Sequence, residues 1–178
     1  MNNNSDQALL TDLYQLTMGA GYYYHGIHER EVVFHHYFRK LPFMGGFAIA
    51  AGLGTLIDYL KNYRFSSDDI AYLATLTGYD DSPLFRENFL DYLSTLTFSC
   101  SIDAIPEGSV VFPHEPLVRV RGPLIQAQLL ESIILNIVNF QTLIATKAAR
   151  LRLAAGDDTL LEFGLRRAQG TNGSLAAS

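Results

Sequence analysis

Residues 160–170 read "LLEFGLRRAQG". A short apolar run ends at a glycine, and two arginines, Arg166 and Arg167, follow almost at once. What precedes this run decides how it is read. From Leu124 to Ala155 the pattern is helical and apolar on nearly every side, with Arg150 and Arg152 in the last turns and Gly156 just beyond. Basic residues and a following glycine suit a helix C-terminus. A helix apolar all round is expected to lie between layers. "TLLEFGL" (159–165) then reads as a short strand. A long covered helix leading into a strand is the opening of an α/β unit. The closing "TNGSLAAS" reads as a loop, so no neighbouring strand follows and the pattern looks unfinished.

Working outward, the earlier segments read as an α+β domain. "LLTDLYQLTMGAGYYYHG" (9–26) predicts a helix capped at Thr11 or Asp12 and stopped at Gly26. "EVVFHHYFRKLP" (31–42) is rich in β-branched and aromatic residues and predicts a strand. "FMGGFAIAAGLGTLIDYLKNY" (43–63) has a glycine pair before a helical run. Ser66 followed by Asp69 is a variant capping box. Ser82 followed by Pro83 predicts a helix start for 82–96. Residues 98–123 alternate and are punctuated by proline and glycine, which predicts a β-rich hairpin segment. The expected organisation is an α+β N-terminal domain over 1–123. After it, 124–178 would hold the opening helix and first strand of an α/β barrel, incomplete in this chain.

Composition narrows the function classes. The chain has 178 residues, 48% of them apolar and 17% charged, which is enough to bury a core. A formal net charge of −5 argues against a general nucleic-acid binder. The single cysteine, Cys100, precludes an internal disulfide and suits a reducing cytoplasm. The start "MNNNSDQ" lacks the order of a signal peptide. The charge-free stretch Ser132–Thr146 is too short and too polar to span a membrane. No membrane or nucleic-acid partner is expected.

Several residues are candidates for chemistry. Arg166 and Arg167 leave a strand end, where ligands collect in α/β folds. Guanidinium groups hold carboxylates and phosphates at two points. Neighbouring residues point to opposite sides, so one would face a ligand and the other a structural ion pair; the plain alternative is two surface arginines. Arg39 and Lys40 end another strand beside a glycine-rich turn, a setting for phosphate, although "GG" is not a Walker pattern and the residues alone favour a solvated strand end. Tyr14, Tyr22, Tyr23 and Tyr24 offer rings that either stack on a heterocycle or pack in the core. The histidine pairs His25/His28 and His35/His36 sit in no HExxH and near no acidic cluster, so no transition-metal site is expected. Ser109 lacks a nucleophile-elbow context. The hairpin around "PLVRV" resembles carrier-domain hairpins but has no tip lysine, and reads as scaffold.

Five phrases together resemble one family. "LLTDLYQLTM", "FRKLPFMGGFAIAAGL", "IPEGSVVFPHEPLVRVRGPL", "QLLESIILNIVNFQTLIATKAARLRLAAG" and "LEFGLRRAQG" resemble, in order and spacing, the N-terminal portion of the nicotinate phosphoribosyltransferases, type II phosphoribosyltransferases. The resemblance implies a transferase (a glycosyltransferase, also classed as a ligase) of NAD biosynthesis. Such an enzyme joins nicotinate to 5-phosphoribosyl-1-pyrophosphate, giving nicotinate mononucleotide and pyrophosphate. It uses ATP hydrolysis through a phosphorylated histidine, and Mg²⁺. By residue, it implies that Phe163 stacks on the pyridine ring and that Arg166 approaches its carboxylate or the sugar phosphate, with Arg167 the alternative. Asp12 and Tyr14 would reach across a homodimer interface, Tyr14 stacking, and Arg39 would meet the diphosphate. None of the five histidines matches the catalytic one, which is expected beyond Ser178. The isolated chain is therefore expected to be inactive and to associate with itself or with a complementary C-terminal chain. Two other readings remain: a quinolinate or nicotinamide relative, and a non-catalytic remnant or interaction module that keeps the dimer surface.

Overall fold

The computed structural model describes residues 8–177; residues 1–7 and Ser178 lie outside them. Helix α1 (Leu13–Tyr24) opens after Asp12, whose backbone is extended and whose side chain makes no capping bond. Gln15, Leu16, Gly19 and Ala20 form its buried stripe. At Gly19 a Cβ would come within 3.2 Å of the Ile125 side chain, so the bare glycine lets α1 approach the later helix α5 (Leu124–Leu129) closely. The expected helix over 9–26 is thus confirmed in a shorter form.

Strand β1 (Glu31–His36) stops well short of the expected 31–42. The chain beyond it is held irregularly, with the His114 N–H donating to the Phe38 carbonyl at 2.9 Å. A 3₁₀ turn (Pro42–Met44) follows, in which Phe43 (φ 58°) and Met44 (φ 48°) are left-handed without being glycine. Then come β2 (Ala48–Ile49) and α2 (Leu53–Lys61). Helix α3 (Ser67–Ala74) carries the expected capping box in full: Asp69 N–H donates to Ser66 Oγ at 3.1 Å, and Ser66 N–H donates to the Asp69 carboxylate at 2.8 Å. Helix α4 (Glu87–Thr95) begins five residues later than expected. Ser82 caps no helix: its hydroxyl donates to Asp80 Oδ1 at 2.6 Å and its carbonyl accepts from Gly78 N–H, closing a turn instead.

The expected β-rich stretch contains β3 (Ser101–Ala104), β4 (Val110–Val111) and β5 (Val118–Pro123). They form two small antiparallel sheets, one in the order β1-β5-β3 and one pairing β2 with β4. In central β5, Val118 and Val120 are buried while Arg119 and Arg121 face out. The outward arginines pair across the sheet with Asp103 (2.8 Å) and Glu31 (2.9 Å). Exposed pairs of this kind are worth little. The inward valines carry the fold, sharing one core with Leu16, Leu56, Phe89, Leu93, Ile125, Leu130 and Ile134.

The expected helix over 124–155 is two helices, α5 and α6 (Glu131–Ala155), divided at Leu130. At 25 residues α6 is about 37 Å long. It is not enclosed all round. Ile133, Ile134, Val138, Thr142 and Thr146 are buried, Leu135, Phe140 and Leu143 are exposed, and no residue of α6 after Thr146 is buried. Two threonines fasten it to the small sheet. Thr146 Oγ1 accepts from Ile49 N–H at 2.9 Å, and Thr142 Oγ1 accepts from Ala51 N–H at 3.2 Å. Gly52 (φ 103°) turns the chain directly against α6, where a Cβ would lie 3.2 Å from the Val138 Cα.

Residues 159–165 do not form the expected strand. Among the described residues no segment pairs with this one: 159–164 carry no regular structure and Leu165–Arg167 make a 3₁₀ turn. The closing stretch, expected as a loop, is helix α7 (Gly170–Ala177) packed on α6. The fold is a mixed α/β one with two small sheets.

Candidate functional site

The start of α1 is clipped to the α5/α6 junction by side chains from both. Asp12 Oδ2 accepts from Ser132 Oγ at 2.9 Å. Gln15 is wholly buried, and its Nε2 donates to Tyr14 Oη at 2.8 Å and to Glu131 Oε2 at 2.5 Å. Gln128 Nε2 donates to Gln15 Oε1 from behind. The Tyr14 hydroxyl lies 3.4 Å from Glu131 Oε2, while its ring is 50% exposed. Desolvation, then the carboxylates of Glu131 and Asp12, hold that hydroxyl above its ordinary pKa. The result is an exposed aromatic face on a pinned hydroxyl, a suitable platform for stacking.

Beside this knot is a cavity of about 380 Å³, within the size range of small-molecule sites. Glu131 and Gln128 line it from the helices, and Phe34, His36 and Arg39 line it from β1 and the chain just after. Arg39 is exposed and is placed to meet an anion at the rim. His36 is buried, neither ring nitrogen has a hydrogen-bond partner, and burial holds its pKa below the ordinary value.

Of the residues expected from sequence, Asp12, Tyr14 and Arg39 therefore lie around one region, Arg39 on the cavity wall and Tyr14 joined to it through Glu131. Phe163, Arg166 and Arg167 are exposed on the segment after α6, and none of them lines the cavity. The sequence reading singles out neither Gln15, Gln128 nor Glu131, and takes His36 only as part of a histidine pair with no metal site expected. The available signal was the set of polar breaks in "IQAQLLESIIL" (125–135), a run otherwise apolar. Among the described residues no three His, Cys, Asp or Glu side chains gather as a metal site. The residues present do not by themselves fit the Mg²⁺ that the resemblance implies, and no step here runs through it.

Residues 9–139 match the family model described as the nicotinate phosphoribosyltransferase N-terminal domain. The nicotinate phosphoribosyltransferase of Caenorhabditis elegans is 48% identical over 174 residues, 97% of this chain and 30% of the relative. That of Bacillus subtilis is 46% identical over 161 residues, 90% of this chain and 32% of the relative. The crystal structure of human nicotinic acid phosphoribosyltransferase superposes with a TM-score of 0.84 at 45% identity, covering 94% of this chain and 33% of that one. The structure of nicotinate-nucleotide pyrophosphorylase from Pyrococcus furiosus superposes at TM-score 0.69 with 18% identity, a likeness of fold alone. The chain spans about a third of the length of the curated relatives it matches. The phrases that carry Asp12, Tyr14 and Arg39 lie inside the matched region, and with nearly three quarters of its residues inside that model the chain belongs to the nicotinate phosphoribosyltransferase family.

Proposed function

We infer that the chain supplies the N-terminal part of a nicotinate phosphoribosyltransferase, which joins nicotinate to 5-phosphoribosyl-1-pyrophosphate with ATP hydrolysis. The observation that carries this reading is the 46–48% identity to enzymes of that name along 90–97% of the chain. Within that activity Tyr14 stacks on the pyridine ring in a partner subunit's site, beside Asp12, and Arg39 meets the diphosphate. Phe163 covers the opposite face of the ring, and Arg166 takes the carboxylate or the sugar phosphate. Arg167 turns away into an ion pair. Sandwiching holds a flat acid near the ribose carbon that it attacks, which is catalysis by positioning. The unpaired stretch 159–164 becomes a barrel strand once neighbouring strands are present, bringing Phe163 and Arg166 to its end. A homodimer or a complementary chain completes the site, in the cytoplasm.

The test is reassembly. The purified chain, given nicotinate, phosphoribosyl pyrophosphate, ATP and Mg²⁺, is expected to form no nicotinate mononucleotide. Combined with a polypeptide covering the remaining two thirds of the Bacillus subtilis relative, it is expected to form it. A stable complex of the two that turns over no substrate overturns the reading in favour of an interaction module.

A further inference from the structure

We propose that Glu131, acting through Gln15, is the positioning residue for Tyr14: it sets the ring plane that Tyr14 offers to a flat aromatic acid. The inference rests on the stacking role given to Tyr14 above and adds what holds that ring.

A half-exposed tyrosine has two soft side-chain torsions, and an unrestrained ring samples several orientations. Here the hydroxyl end is gripped. Gln15 is wholly buried, and a buried amide has to be hydrogen-bonded. Gln128 donates to its carbonyl oxygen from behind, which leaves the Nε2 donors facing forward. Those donors reach Tyr14 Oη at 2.8 Å and Glu131 Oε2 at 2.5 Å. Tyr14 Oη in turn lies 3.4 Å from the same carboxylate oxygen. The tight links therefore run from Glu131 to Gln15 and from Gln15 to Tyr14, and the direct one is loose. Removing the carboxylate charge releases the amide first and the ring through it.

Glu131 is itself held. It is the first residue of α6, where the helix dipole favours a carboxylate. Its neighbour Ser132 donates to Asp12, a second bond from the start of α6 to the start of α1. Glu131 also lines the cavity with Arg39, so the ring and the anion-binding arginine are set from one side chain's surroundings.

A purely structural staple predicts something different. It loses thermal stability when cut and leaves substrate binding alone. Glu131→Gln keeps the shape and removes the charge, so it separates the two. In the chain labelled with ¹³Cζ-tyrosine, the Tyr14 signal is identified by its loss in Tyr14→Phe. Glu131→Gln is expected to move the Tyr14 titration down towards the ordinary value of 10.0 and to leave the other tyrosine signals in place. In the enzyme completed with the remainder of the Bacillus subtilis relative, the same substitution should raise KM for nicotinate about tenfold with kcat within about twofold. An unmoved Tyr14 titration overturns the proposal. So does a lowered Tm with unchanged KM. Tyr14→Ala with unchanged KM for nicotinate would overturn the stacking role itself, a separate failure, because the titration reads the Glu131 link whatever Tyr14 contacts.

Discussion

His36 closes β1 with both ring nitrogens unpartnered in the interior. Burial lowers its folded pKa below the ordinary 6.5, so protons bind the unfolded chain more readily than the folded one. Stability from this site is complete above 6.5 and is lost progressively as pH falls below it towards the lowered folded value. Tm measured from about pH 8 to about pH 5 should fall more steeply for the wild type than for His36→Leu; parallel curves would remove this role. Arg166 makes the opposite kind of prediction. It is exposed and makes no buried contact, so Arg166→Ala should leave Tm unchanged while lowering kcat/KM of a completed enzyme by about one to two decades. Arg166→Lys should recover only part, since an ammonium lacks the planar fork. The reverse pattern, with Arg167→Ala inactive and Arg166→Ala unstable, exchanges the two arginines. Asp12, Tyr14 and Arg39 were picked out because a local phrase carries each, and the roles given them are proposals. Glu131, Gln15 and Gln128 were not picked out, because their partners lie 113 to 117 positions away and only folding brings them together.

Helix α6 is tied to the small sheet by hydroxyls where a helix usually relies on aliphatic packing. Thr146→Val keeps the shape but leaves the half-buried Ile49 N–H without its acceptor, at a cost of about 1–3 kcal/mol. Urea unfolding would measure it; a loss within about 0.5 kcal/mol, the usual range for an inconsequential surface change, would mean that water replaces the hydroxyl. At this scale, local chemistry was legible wherever it is self-contained. The capping box of α3 needs only Ser66 and Asp69, and both ends are made as read. Ser82-Pro83 carries the same helix-start signal, yet Asp80 and Gly78 capture Ser82 for a turn and α4 waits until Glu87. "TLLEFGL" has strand composition, but a strand is a pairing between two segments and this one has no partner in the described chain. Apolar content also misled for α6, whose outer side chains Leu135, Phe140 and Leu143 meet no second layer.

At the scale of the molecule, apolar surface is unevenly spread. Leu153, Leu161, Phe163, Leu165 and Leu175 are each more than two thirds exposed, and all follow the point where α6 leaves the core. Exposed apolar side chains in this number favour association. The chain should bind a hydrophobic dye and sediment faster than a monomer, and substituting Leu153, Leu161 and Leu165 with serine should reduce both; a sharp monomer that binds no dye would count against it. The last buried residue of α6 is Thr146, and beyond it more than two turns of helix are held from outside the core, by Arg150 set 6.0 Å from the Phe43 ring, by Arg152 Nη1 donating to the Asp158 carbonyl at 2.9 Å and by the short α7. Such a helix is a beam clamped at one end. Its amides up to Thr146 can exchange with deuterium only when the core opens, whereas those from Lys147 to Ala155 can exchange by fraying from the free end. Deuterium uptake should therefore rise abruptly within one helix, slow before Thr146 and fast after it, with no break in the helix to mark the step.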